Sequence, residues 1–275
     1  MKFIAEVGSN HNQNINRIYK FIEIAKKSGC WGIKFQLFKH DKLYSSEFKE
    51  TQELLKKREL PEQFIPLISK KCKELKIKFG CTPFDLEAVE KLKNYVDFFK
   101  IGSYEILYLP LIKACASTQK PIIISTGMAD ISEIVEAVLL CAQQNNKNIS
   151  LLHCVSKYPT YAWECNLDRI KILQEFFPNF IIGWSDHTTK HAIIMKAQSF
   201  GAKIIEFHLD LDGVGEESLK NKYTHCWFPL QMHEMIKNSI IWEAEGNFIK
   251  INEQEKKQRM DAFDGMRPCK EIRDV

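Results

Sequence analysis

The chain has 275 residues, 45% of them apolar and 27% charged, with a formal net charge of +4. So small a charge argues against a nucleic-acid partner, and lysine runs such as "KKREL" and "KKCKELKIK" read as solvated helix faces. No apolar run approaches the ~20 residues of a membrane span, and "MKFIAEVGSNHNQN" turns polar too soon for a signal peptide, so a soluble, cytoplasmic protein is expected.

In chain order, "FIAEV" (3–7) reads as a strand and 16–28 as an amphipathic helix. "WGIKFQLF" (31–38) follows, then a long insertion (39–60) and a helix at 61–75. The alternation continues with "IKFGCT" (77–82) and helix 85–93, then "VDFFKIGS" (96–103) and helix 107–117. "PIIIST" (121–126) precedes helix 131–145, and "ISLLHCV" (149–155) precedes helix 166–177. "FIIGWS" (180–185) leads to helix 189–200, and "KIIEFHL" (203–209) to a last helix near 229–245. Asp130 and Asn166 are candidate helix N-caps. Eight nearly continuous apolar strands alternating with eight helices predict an α/β protein, a single-domain (β/α)8 TIM barrel over 1–245. Residues 246–275 read as a polar tail. Nine cysteines with no CxxC pair suit reduced thiols packed as small hydrophobes.

In such a barrel the C-terminal strand ends open on one face, where active sites are built. His187 follows the seventh strand and His208 lies near the end of the eighth, so both imidazoles reach one mouth. Side-chain alternation turns Glu6, Lys34 with Gln36, Lys100, and Glu206 with His208 toward the barrel axis. These charges could neutralise one another as a purely structural network. Alternatively, the two lysines hold an anion together with the strand-end hydroxyls of Thr82, Ser103, Ser125, Ser156 and Ser185. The histidine pair suits a metal site. His187 beside Asp186 would equally suit a general base. His11 joins the same face, His153 packs or bonds within the sheet, and His191, His225 and His233 look peripheral.

The stretches "IAEVGSNHNQN", "GIKFQLF", "GCTPFDLEAVEKL", "FFKIGSYEILYLPLIKACA", "KPIIISTGMA", "LLHCVSKYPT", "GWSDHT" and "GAKIIEFHLDLD" occur in the order seen in the sialic acid synthases. The sequence thus resembles N-acetylneuraminate synthase and its pseudaminic and legionaminic relatives. The resemblance implies a transferase of carbohydrate biosynthesis, of the kind that feeds cell-surface polysaccharide. It would condense phosphoenolpyruvate with a sugar aldehyde to give a nonulosonic or related 2-keto-3-deoxy sugar acid, releasing phosphate. It implies a divalent cation, usually manganese with magnesium or cobalt as alternatives, on His187 of "SDHT" and His208 of "EFHLD". Lys34, Thr82, Lys100, Ser103, Ser125, Ser156 and Ser185 would then hold phosphoenolpyruvate, with Lys34 and Lys100 also favouring departure of phosphate. Gln36, Glu105 and Tyr158 would face the aldose acceptor, with Glu105 handling a proton.

Three departures fall on the acceptor side. Gln13 stands where the family usually has glycine, and "GVGEESLKNKYTHCW" shows no counterpart of the "GPDH"-like loop. The chain also ends at Val275, before the family's antifreeze-like C-terminal domain. Glu216, Glu217 and His225 are therefore candidate substitutes at the acceptor, with Arg267 as a contribution across a homodimer. Two other readings stand beside the synthase: a Schiff-base aldolase on Lys34 or Lys100, and a non-catalytic barrel that binds sugar or phosphoenolpyruvate.

Overall fold

A computed structural model of the chain describes residues 1–213 and 225–245. Eight parallel strands run in sequence order: β1 (Lys2–Glu6), β2 (Gly32–Leu37), β3 (Lys78–Pro83), β4 (Phe98–Ile101), β5 (Ile122–Ser125), β6 (Ile149–Cys154), β7 (Ile181–Asp186) and β8 (Ile204–Leu209). Because β1 also pairs with β8, the sheet closes into a barrel. A short β9 (Cys226–Trp227) extends it beside β8, with Cys226 opposite His208.

Helices α1 (Ile15–Lys27), α2 (His40–Leu43), α3 (Lys49–Lys56), α4 (Ile65–Leu75), α5 (Leu86–Leu92), α6 (Leu109–Ser117), α7 (Ile131–Gln143), α8 (Arg169–Phe176), α9 (His191–Ser199) and α10 (Pro229–Glu245) connect the strands or follow them. Residues Met1–Ser239 make one compact unit and Ile240–Val275 a second. Of the second, only the end of α10 is described, and the predicted tail, Arg267 included, lies outside the described residues.

Alternation along each strand splits the apolar content into two cores. Outward residues such as Ala5, Phe35, Phe79, Phe99 and Phe207 pack in the layer that also holds Phe21, Ile68 and Leu111 of the helices. Inward, Ile4, Phe98, Ile123, Leu152 and Ile204 form a separate cluster that plugs the lower barrel. The large ring of Phe98 fits there because residue 80 is glycine: a Cβ at Gly80 would lie 2.2 Å from Cζ of that ring. This floor bars water from below, so polar side chains above it meet solvent only through the mouth.

The helix starts follow capping chemistry, with one correction. Asp130 accepts the Glu133 N–H while Glu133 accepts the Asp130 N–H, a reciprocal capping box at α7. Asn166 does not cap α8. It sits at φ 46 in the turn before, and the helix begins three residues later at Arg169. The insertion after β2 carries two short helices, α2 and α3. The connector after β8 contains a strand that local pattern did not reveal, because two residues carry no periodicity.

Candidate active site

Above the floor the inward side chains become polar, and they interlock. Lys34 Nζ lies 2.7 Å from Glu6 Oε2 and donates to Thr82 Oγ1 at 3.1 Å. Gln36 Nε2 donates to the other Glu6 oxygen at 2.7 Å. Across the barrel, Lys100 Nζ donates to Ser125 Oγ at 2.6 Å and to the Ile101 carbonyl at 3.0 Å. Its carboxylate partner is more distant: Glu206 Oε1 stands 3.8 Å away and accepts from Ser185 Oγ at 3.1 Å.

The two lysines therefore differ electrostatically although both are buried. Burial works to lower the Lys34 pKa, but Glu6 and Glu206 outweigh it and the net direction is up. For Lys100 burial wins: Glu206 offsets only part of it, Lys34 adds repulsion, and the pKa falls. Glu206 is itself pushed up by burial, yet Lys100 and Lys34 hold it below the ordinary carboxylate range. Lys34 is thus locked in an ion pair, whereas Lys100 is a desolvated cation with looser compensation.

Two of the hydroxyls gather at Gly127, two residues after Ser125, the partner of Lys100. Ser103 Oγ accepts the Gly127 N–H at 3.1 Å and lies 3.0 Å from Cys154 Sγ. A Cβ at Gly127 would stand 2.6 Å from Ser156 Oγ, 2.7 Å from Cys154 Sγ and 2.8 Å from Ser103 Oγ. Only glycine lets this loop close over the three groups. Glu105 ends the short 3-10 turn Ser103–Glu105 after β4 and folds back over Gly102. Burial raises its pKa, and Lys100 counters this only in part.

At the top of β7, the His187 Nδ1–H donates to the Val155 carbonyl at 2.8 Å. A carbonyl only accepts, so in the neutral ring the Nε2 lone pair is left for another partner. Burial, then repulsion from His208, holds the His187 pKa down at about 3. Asp186 does not serve as its orienting carboxylate. That side chain instead accepts from Trp184 Nε1, Thr188 Oγ1, the Thr189 N–H and Trp227 Nε1. The Asp–His general-base arrangement finds no matching geometry here.

His187 and His208 have ring centroids 5.4 Å apart, with Tyr158 packed 4.0 Å and 5.7 Å from them. His225, expected at the periphery, packs 4.6 Å from His208 and 5.0 Å from Tyr158. Its signal was spatial: only β9, paired to β8, brings it there. His11 is buried but does not line the cavity, and His153 bonds within the fold through Nε2 and the Cys165 carbonyl at 2.7 Å. Glu216 and Glu217 lie outside the described residues.

These groups surround one cavity of about 530 Å³, counting its open mouth. Lys34, Gln36, Thr82, Lys100, Ser103, Glu105, Ser125, Tyr158, Ser185, His187 and His208 all line it. Ser156 stands just behind, against Gly127. The cavity also exposes Glu6, Glu206 and Cys154. For Cys154 the available signal was its place two residues after inward Leu152 on β6.

A closed parallel barrel whose mouth joins two buried ammonium groups, a rim of hydroxyls and adjacent imidazoles defines a (β/α)8 protein equipped to hold a small polyanion. Residues 21–250 match the NeuB family, and the chain belongs to it. It is 40% identical to an uncharacterised protein of Methanocaldococcus jannaschii, over 76% of this chain and 62% of that one. It is 39% identical to the N,N'-diacetyllegionaminic acid synthase of Campylobacter jejuni, over 76% of this chain and 67% of that protein. The chain thus spans about two thirds of the length of these relatives. The crystal structure of an N-acetylneuraminic acid synthetase from Leptospira borgpetersenii superposes with a TM-score of 0.84 at 29% identity, covering 94% of this chain and 88% of that one.

Proposed function

We propose that the chain is a phosphoenolpyruvate-dependent condensing synthase that extends a sugar aldehyde by three carbons. The observation that carries this reading is the convergence of Lys100, Lys34 and the strand-end hydroxyls with the imidazoles of His187 and His208 in one cavity. Phosphoenolpyruvate offers a phosphate and a carboxylate, and this cradle has cationic and hydroxyl donors for both.

A divalent cation suits the histidine pair on two grounds. The Val155 carbonyl leaves His187 Nε2 available as a ligand. Lys34 and Lys100 are already balanced by Glu6 and Glu206, so a polyanionic donor brings net negative charge that a cation offsets. When bound, such an ion supplies Lewis-acid polarisation of an aldehyde oxygen.

The chain's own residues account for the remaining needs. Lys100, with Ser125 and Ser103 beside it, holds the donor and stabilises charge on the departing phosphate. Donor C3 forms the new bond to the aldehyde carbon, and the aldehyde oxygen takes a proton. Glu105, which lines the cavity and whose pKa is raised by burial, would give it. Water then adds at donor C2, and cleavage of the C2–O bond releases phosphate and leaves a 2-keto acid. Gln36 and Tyr158 flank the open side, where the aldose would lie. The apolar floor and the side chains lining the mouth limit stray water during these steps. The described cysteines are all unbridged and buried, which suits work in a reducing cytoplasm.

The test is phosphate release from phosphoenolpyruvate across a panel of hexoses and hexosamines with added divalent cations, followed by mass spectrometry. A product heavier than the sugar by the elements of pyruvate is expected. Absence of aldose-dependent phosphate release across the panel overturns the reading. One observation favours a second reading: the lowered pKa of Lys100 would also suit a Schiff base. Borohydride trapping with pyruvate separates the two, since a Lys100 adduct belongs to the aldolase alone.

A further inference from the structure

We propose that His225 and Cys226 join His208 as ligands of the divalent cation, making the metal site an N/S site that prefers zinc or cobalt to manganese. This rests on the synthase reading of the cavity but extends the site beyond the two histidines at the ends of β7 and β8.

The geometry comes from β9. Its parallel pairing sets Cys226 directly opposite His208, and register partners on adjacent strands point the same way. As a result, the candidate ligand atoms of His208, His225 and Cys226 all lie within 4.8 Å of one another. Two imidazoles on one tetrahedral ion, with metal–nitrogen bonds of about 2 Å, hold their centroids roughly 5 Å apart. The His208–His225 separation of 4.6 Å and the His187–His208 separation of 5.4 Å both fit. The third pair, His187 and His225, is wider at 6.5 Å, so the three rings form a triangle with His208 as the shared neighbour.

A second observation concerns the thiol. Asn10, fully buried, donates its Nδ2–H to Cys226 Sγ at 3.8 Å and to the Leu209 carbonyl at 3.2 Å. An amide N–H aimed at sulfur fixes the orientation of the side chain, the part that outer partners play for metal ligands. Trp227, the next residue, is pinned by its indole to Asp186, which precedes His187. The ligand-bearing ends of β7, β8 and β9 are thus held together by buried bonds. A thiolate with imidazoles selects borderline-soft ions, whereas manganese and magnesium favour oxygen donors.

Cobalt(II) titration of the full chain, followed by absorption spectroscopy, tests this without relying on turnover. One cobalt per chain should bind with a near-ultraviolet thiolate charge-transfer band, and zinc should displace it where equimolar manganese does not. Cys226→Ser and Cys226→Ala should abolish the band, and His225→Ala should weaken cobalt binding at least about tenfold. Cys154→Ser, a change at the thiol that lines the cavity, should leave the band intact. Circular dichroism of each variant separates ligand loss from misfolding. A wild-type complex with no thiolate band, or one that depends on His187 and His208 but not on residues 225 and 226, overturns the proposal and leaves the synthase reading standing. If the synthase reading fails instead, aldose-dependent phosphate release is missing whatever the cobalt spectrum shows.

Discussion

The Trp227 indole N–H donates to Asp186 Oδ2 at 3.0 Å, joining β9 to the end of β7 through a carboxylate with no solvent exposure. Trp184 donates its indole to the other oxygen at 3.1 Å, so one acid fixes two aromatic anchors beside His187. Trp227→Phe deletes the N–H together with one ring of a fully buried indole. A loss of at least about 1.5–3 kcal/mol is expected, the worth of a hydrogen bond to a charged group, with the lost ring volume adding to it. Chemical denaturation measures it, and an unchanged midpoint would show that the bond does not hold the mouth together.

The two cavity lysines should separate in a stability assay. Lys34→Met strips Glu6 of its ion-pair partner at 2.7 Å and leaves a buried carboxylate bonded only through Gln36. That should cost about 3–5 kcal/mol of folding stability. Lys100→Met removes a cation whose carboxylate lies 3.8 Å away, so its loss should appear chiefly in donor binding. Thermal melts with phosphoenolpyruvate titration calorimetry check both. Equal destabilisation by the two variants would contradict the asymmetry.

Gly127→Ala tests the cradle without touching charge. The added methyl falls within 2.8 Å of Ser156, Cys154 and Ser103, so it must displace the hydroxyls from the Lys100 side of the cavity. Donor affinity should drop at least tenfold, about 1.4 kcal/mol. Calorimetry reads the change, while circular dichroism should show the barrel retained. Native affinity in this variant would place the donor elsewhere.

Acid stability should depend on His153. Burial holds its pKa at about 4, below the 6.5 of an exposed imidazole. A pKa lower in the folded chain than in the unfolded one means the unfolded state takes up the proton first. The stabilisation is complete above pH 6.5 and is lost as the pH falls toward 4, a span worth about 3 kcal/mol. His187 contributes in the same range. Tm measured through this window should fall less steeply in His153→Gln, which keeps an N–H for the Cys165 carbonyl. Identical slopes would remove His153 from the account.

Much of the site was legible in the sequence because strand geometry is local. The two-residue repeat alone turns Glu6, Lys34, Gln36, Lys100, Glu206 and His208 inward, and parallel strands all end at one mouth; the cavity contains all six. Alternation says nothing about partners. That Lys34 takes Glu6 while Lys100 keeps Glu206 at a distance depends on strand stagger and rotamers in the closed barrel. The role of Asp186 could not be read from its neighbour His187, because Trp227, 41 residues on, competes for the carboxylate. His225 and Cys226 follow the same rule. Nothing within a few residues of them marks a ligand, and only the pairing of β9 with β8 places them beside His208. Local periodicity chose which faces carry polar groups; long-range pairing, which the chain reaches only on closing the barrel, chose which of those groups meet.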